Sequence, residues 1–246
     1  MIDSAAIVTG AGKGIGEALA LKLGAMGIAV CCNSLTDSGA NTARRIRAAQ
    51  GRAIFVGGDA SEEITAARVV AETTAAYGGI DILVNNAGVV LPGTAETTSI
   101  DDWDKTMAVN VRSVFLLSAS ALPHLIRRKG VIVNISSSVA LKGVRDRFAY
   151  TASKGAVLSM TRAMAADLID KGVRVNCVCP GTTWTPSLDE RLAKFPDPEA
   201  KKKEFIARQP MGRFGTPEEI ADGIIYLING SFCTGAILSI DGGMTM

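Results

Sequence analysis

The sequence predicts a doubly wound α/β fold, a parallel sheet with helices on both faces. Three observations carry this. Short apolar runs alternate with longer helical stretches along the whole 246-residue chain. A glycine-rich turn joins the first apolar run to the first helical stretch. Small and polar residues follow several of the strand runs, where an open α/β sheet has its ligand crevice. No repeat or linker divides the chain, so residues 1–246 read as one domain with a less regular insertion over about 182–213, which holds Pro186, Pro196, Pro198 and Pro210.

Composition narrows the function classes. An apolar content of 48% argues against disorder, and a net charge of +2 without a long basic run does not indicate nucleic acid. The short Lys201-Lys202-Lys203 cluster stands beside Glu199 and Glu204 and reads as a solvated face. Cys31, Cys32, Cys177, Cys179 and Cys233 show no zinc spacing and read as buried thiols of a reducing cytoplasm. The start carries no signal-peptide pattern, and no uninterrupted apolar run reaches about 18 residues, so no membrane span is expected.

The elements follow in order. Residues 5–9 form a strand that leads into Thr9-Gly10-Ala11-Gly12-Lys13-Gly14-Ile15-Gly16 and a helix over 17–25. Glycines let a phosphate approach the backbone, and the helix start supplies N–H groups and a positive dipole end. The spacing overlaps only in part with the usual dinucleotide fingerprint. A strand over 28–32 ends in Asn33-Ser34-Leu35-Thr36, where a carboxylate would bind the adenosine ribose of NAD. Ser34 stands there instead, and Lys13 could add positive charge near a 2′-phosphate or be a solvated loop lysine; the balance leans to NADP.

A helix over 39–50 and a strand over 53–58 lead to Asp59-Ala60, an adenine position or an N-cap for the helix over 62–77. A strand over 81–84 ends in Asn85-Asn86-Ala87-Gly88. The helical stretch over 103–128 holds Asn110, polar within an apolar stripe, and His124, the one histidine, which reads as structural. A strand over 131–135 meets Ser136-Ser137-Ser138, and a helix follows to about residue 170. A strand over 173–178 breaks at Pro180-Gly181; Thr216-Pro217-Glu218-Glu219 opens a helix with a capping box; residues 236–240 are the last strand.

Tyr150 and Lys154 stand one helical turn apart. A phenol is a poor acid or base near neutrality, and a neighbouring ammonium is expected to lower its pKa into a useful range. The pair suits proton exchange with an alcohol or carbonyl oxygen.

Together, Thr9 to Gly16, Asn85 to Gly88, Asn110, the serine run, Tyr150 with Lys154, and Pro180-Gly181 resemble the short-chain dehydrogenase/reductase family over nearly the whole chain. The resemblance implies a Rossmann sheet of about seven strands in a cytoplasmic, homotetrameric, NAD- or NADP-dependent oxidoreductase that needs no metal. By position it implies Tyr150 as acid/base, Lys154 as its partner and ribose ligand, Asn110 as support, and Ser137 polarising the substrate oxygen, with Ser138 as runner-up. It places the cofactor at Gly10, Gly12, Lys13, Gly14, Ile15, Gly16, Ser34, Asp59, Ala60, Asn86, Ala87, Gly88, Pro180, Gly181, Thr182 and Thr183, besides Tyr150 and Lys154.

Arg147, Arg191 and Arg208 suit bidentate binding of an oxyanion. With the surrounding segments they are similar to the type-2 (R)-3-hydroxybutyrate and sugar-acid dehydrogenase group, in which matching arginines hold a carboxylate. Ser34 and Trp184 depart from that group, and the bulk of Trp184 would stack on a sugar ring or narrow the pocket. A small anionic hydroxy acid, sugar acid or sulfonate is the expected substrate. The alternatives are a neutral-sugar 1-dehydrogenase, a β-ketoacyl reductase, and a dinucleotide-binding sensor without catalysis.

Overall fold

The computed structural model describes residues 4–246. Seven strands, β1 (Ala5–Thr9), β2 (Ala29–Ser34), β3 (Ala53–Gly57), β4 (Ile82–Asn85), β5 (Val131–Ile135), β6 (Arg174–Pro180) and β7 (Ile237–Ile240), make one sheet in the order β3-β2-β1-β4-β5-β6-β7. Every pairing is parallel. Its direction of winding reverses between β1 and β4, so the Thr9-Gly10 turn and the Asn85-Asn86 turn open side by side at the carboxyl ends of adjacent strands.

Side chains alternate across the pleat and build a core on each face. Ala6, Val8, Val30, Val84 and Val133 pack against α1 (Gly14–Ala25), α2 (Ser38–Ala48) and α9 (Pro217–Asn229) through Leu19, Leu23, Ile46, Ile220 and Ile224. Ile7, Cys31, Leu83, Ile132 and Val175 face α3 (Glu63–Tyr77), α5 (Ser113–Arg128) and α6 (Phe148–Leu168) through Val69, Leu117, Leu125 and Leu168. Each fully buried Leu or Ile contributes roughly 1.5–3 kcal/mol. Cys31 and Cys32 thus serve opposite cores, and among the described residues all five cysteines are free thiols.

Three expectations change. The 103–128 stretch begins earlier and is not α-helical throughout: α4 (Ile100–Met107), capped by Ser99 Oγ accepting from Asp102 N at 3.1 Å, runs through a π turn over Ala108–Arg112 into α5. The continuous helix Ile100–Arg128 is long and apolar enough, by composition alone, to cross a membrane, because serines interrupt the apolar residues without lowering the average much. Leu117, Ala121 and Leu125 commit one face of it to the core. The insertion is also more regular than its prolines suggest. Thr185 and Asp197 cap α7 (Pro186–Leu192) and α8 (Pro198–Ile206), with Pro186 and Pro198 in the first turns, where a missing N–H costs nothing. Thr216 and Glu219 form the expected capping box on α9.

Candidate active site

The glycine turn after β1 is shaped as an anion cradle. Gly10 (φ +63°) and Gly14 (φ +60°) occupy left-handed backbone that favours glycine. A Cβ on Gly16 would stand 2.2 Å from the Gly10 carbonyl oxygen, and one on Gly12 would stand 1.9 Å from Ser38 Oγ. Lys13 is the N-cap of α1 yet makes no capping bond with its side chain, so first-turn N–H groups remain for a ligand. Thr9 Oγ1 accepts from the N–H groups of Asn86 (3.0 Å) and Ala87 (2.9 Å), while Asn86 Nδ2 donates to the Thr9 carbonyl at 2.9 Å. These bonds lock the two loops of the crevice together. The residues present fit a dinucleotide: backbone at 10–16 for its pyrophosphate, and the 86–88 and 180–183 turns for the rest.

Several proposed cofactor contacts are committed elsewhere. Lys13 Nζ pairs with Glu190 Oε1 of α7 at 2.9 Å in an exposed ion pair, so its charge is shared while it stays solvated. Ser34 Oγ accepts from Gly39 N at 2.9 Å and donates to the Thr36 carbonyl, closing a local turn. Asp59 Oδ1 accepts from both N and Oγ of Ser61 at 2.8 Å, a turn rather than a cap, because the helix N-cap is Glu62. The Ile15 side chain packs on the core and Ala60 is buried, so neither side chain is free to reach a ligand.

At the other side of the crevice, α6 carries Tyr150 and Lys154. Lys154 is 4% exposed, its Nζ donates to the Ile135 carbonyl at 2.8 Å, and it lies 5.8 Å from the centre of the Tyr150 ring. Burial lowers its pKa to about 8. Tyr150 departs from the expected direction: burial raises its pKa, and the Ser137 hydroxyl and the Arg191 and Arg147 guanidiniums pull it part of the way back.

Asn110 lies within the π turn, fully buried. Its Oδ1 accepts from Val89 N (2.8 Å), and its Nδ2 donates to the Val89 carbonyl (3.0 Å) and to Ser153 Oγ (2.9 Å). Ser153 donates in turn to the Tyr150 carbonyl at 2.7 Å. Asn110 therefore ties the loop after β4 to the first turn of α6. Added to Gly88, a Cβ would stand 3.3 Å from Asn110 Oδ1 and 3.4 Å from Lys154 Nζ, which explains a small residue there.

The three adjacent serines separate by contact. Ser136 Oγ donates to the Lys154 carbonyl at 2.8 Å, and Ser138 Oγ donates to Met244 Sδ at 3.3 Å. Ser137 accepts weakly from Val139 N at 3.3 Å and stands beside the phenol.

Tyr150, Ser137, Ser138, Arg147, Arg191 and Arg208 line one pocket of about 100 Å³, with Gly181, Thr182 and Thr183 on its wall. Burial and repulsion among the three guanidiniums lower the pKa of Arg147 and Arg191. Arg208 is anchored by Glu204 (2.8 Å) and stacks on Phe205 at 3.9 Å. Trp184 is not on this wall. It stacks on Phe214 at 5.2 Å with Lys202 over its ring. His124, on α5, is not on it either. The sequence reading missed Ser153 and Met244. Ser153 sits three residues after Tyr150 on one helix face and could have been found; nothing local marked Met244.

A family model described as "Enoyl-(Acyl carrier protein) reductase" matches residues 10–245. An "Uncharacterized oxidoreductase" of Thermotoga maritima is 43% identical, covering 97% of this chain and 96% of its own. A "2-(S)-hydroxypropyl-CoM dehydrogenase 3" of Xanthobacter autotrophicus is 41% identical over 97% of this chain and 95% of its own. A "Dehydrogenase/reductase SDR family member 6" of Aquarana catesbeiana is 37% identical over 100% of this chain and 99% of its own. A seven-stranded doubly wound sheet, a glycine cradle at its switch point, a Tyr–Lys helix opposite and these full-length similarities lead to one conclusion: the chain belongs to the short-chain dehydrogenase/reductase family of NAD(P)-dependent oxidoreductases, among those acting on CH–OH groups.

Proposed function

We propose that this enzyme interconverts the secondary alcohol and ketone of a small anionic substrate, a hydroxy acid, sugar acid or sulfonate. One observation carries the reading: Arg147, Arg191 and Arg208 share a pocket with Tyr150 and Ser137. Three guanidiniums that repel one another favour an oxyanion among them, and two planar forks can hold it bidentately. Arg147 and Arg208 already hold carboxylate partners, Asp146 (3.4 Å) and Glu204 (2.8 Å), so a neutral sugar would leave Arg191 as the one of the three with no carboxylate partner among the described residues. The pocket is also well below the ~300–1,000 Å³ of drug-sized sites, which favours a short substrate over a carrier-linked acyl chain.

When bound, a nicotinamide dinucleotide supplies the hydride chemistry. The protein's part is proton exchange and orientation. In this reading Tyr150 gives its proton to the carbonyl oxygen in reduction and takes it from the hydroxyl in oxidation. Ser137 donates to the same oxygen, Lys154 contributes positive charge behind the phenol, and Asn110 with Ser153 holds the helix turn that carries them. NADP and NAD are both accommodated, since no carboxylate follows β2 at residues 34–36 to repel a 2′-phosphate and Lys13 is shared with Glu190. The preference for NADP is therefore modest.

Arg147→Ala, Arg191→Ala and Arg208→Ala test the reading in steady-state kinetics on a panel of hydroxy acids, sugar acids and hydroxysulfonates. KM for the best anionic substrate should rise about tenfold or more in at least two of the variants. An unchanged KM in all three removes the anion site.

A further inference from the structure

We infer that Met244 sets how large an apolar group the pocket accepts beside the reacting carbon; this rests on the function proposed above. Met244 is 4% exposed and lines the same pocket as Tyr150, Ser137 and the arginines, although it comes from the far end of the chain. A tight turn delivers it. Asp241 accepts from Gly243 N (3.0 Å), Thr245 N (3.1 Å) and Thr245 Oγ1 (2.6 Å), and Gly242 (φ +60°) and Gly243 (φ +85°) take left-handed backbone.

Two bonds then pin Met244 from the loop that carries Ser137. Lys142 Nζ donates to its carbonyl at 2.9 Å, and Ser138 Oγ donates to its sulfur at 3.3 Å. The arginines account for the anionic end of a substrate, and Tyr150 with Ser137 for its oxygen. Besides Gly181, Thr182 and Thr183, the remaining wall is apolar: Val90, Val139, Val144, Phe205 and Met244. Of these, Met244 alone has its side chain held by a hydrogen bond, from Ser138 Oγ to its sulfur, which restrains an otherwise adaptable thioether and makes its volume the limit on the substituent. A larger group must displace the thioether and break the Ser138 contact.

The test measures kcat/KM along a series of hydroxy acids lengthened by one methylene at a time on the carbinol carbon. Met244→Ala should raise the long-to-short ratio by about tenfold or more, Met244→Phe should lower it, and the volume-conserving Met244→Leu should hold it within about threefold. Cofactor binding and Tm are measured on each variant. A merely structural role would move all substrates together and leave the ratio alone. An unchanged ratio in both Met244→Ala and Met244→Phe overturns the inference. Should Met244→Ala not fold, Met244→Phe decides alone: a lower ratio supports it and an equal ratio overturns it. A wild-type enzyme inactive on the entire series overturns the proposed substrate class and this inference with it, whereas an active one with unchanged ratios overturns only this inference.

Discussion

Single side chains set the chemistry through opposing effects on their protons. Burial raises the Tyr150 pKa, while Ser137, Arg191 and Arg147 oppose it, so the arginines proposed to bind the substrate also make the phenol a better acid. Arg191→Gln should therefore raise that pKa and move the basic rise of kcat/KM for alcohol oxidation to higher pH. A pH profile with an unmoved rise would show that Arg191 does not act on the phenol. Tyr150→Phe should cut turnover by about 10²–10⁴-fold with dinucleotide binding retained, measured by fluorescence titration and stopped assays. Lys154 carries a stability signature. Its pKa falls from 10.5 to about 8 on folding, so the unfolded chain binds the extra proton between those values. The cost of the buried ammonium is fully present below pH 8 and is relieved as pH rises toward 10.5, by about 3 kcal/mol in all. Urea melts at pH 7 and pH 10 should show the native protein gaining this stability relative to Lys154→Met, since the buried Cys31 and Cys32 thiols, pushed up to about 12, lose stability over the same interval in both proteins. The Tyr–Lys spacing was readable in the sequence because it is local. The source of the phenol's tuning was not, since Arg191 and Ser137 reach it only through the fold.

At the scale of elements, turns and helix ends do the positioning. Gly16 lets α1 start against the Gly10 carbonyl, and a Cβ there would meet that oxygen at 2.2 Å and Asn86 Nδ2 at 2.5 Å. Gly16→Ala should thus weaken dinucleotide binding and lower Tm together; retained affinity at native Tm would contradict the tight cradle. The π turn at Ala108–Arg112 seats Asn110 between the Val89 backbone and Ser153, a placement common for such bulges at functional sites. The sequence could show a polar residue in an apolar stripe but not an extra residue in the turn, because that depends on the Val89 partners 21 positions away. The insertion looked irregular from its prolines, yet Pro186 and Pro198 start helices instead of ending them. Its α7 reaches back to the glycine turn through Lys13 and Glu190, an exposed pair of the kind typically worth under ~1 kcal/mol.

Across the whole molecule, strand order decides which loops meet. Seven apolar runs and the glycine turn made the doubly wound sheet readable, and β5 runs over the residues expected of it. The pocket beside Tyr150 was readable only in part: Arg147, Arg191 and Arg208 reach it from three separate segments, Trp184 turns aside to Phe214, and Met244 arrives from the last turn of the chain. Such long-range convergence leaves no periodic trace in sequence. The central claim is that this convergence makes an anion site beside the phenol. Its most direct test compares kcat/KM for a hydroxy acid and its uncharged methyl ester in the native enzyme and in Arg147→Gln/Arg191→Gln. The native enzyme should prefer the acid by about tenfold or more and the double variant should lose that preference; a native enzyme that favours the ester, or a double variant that keeps the preference, would contradict the account.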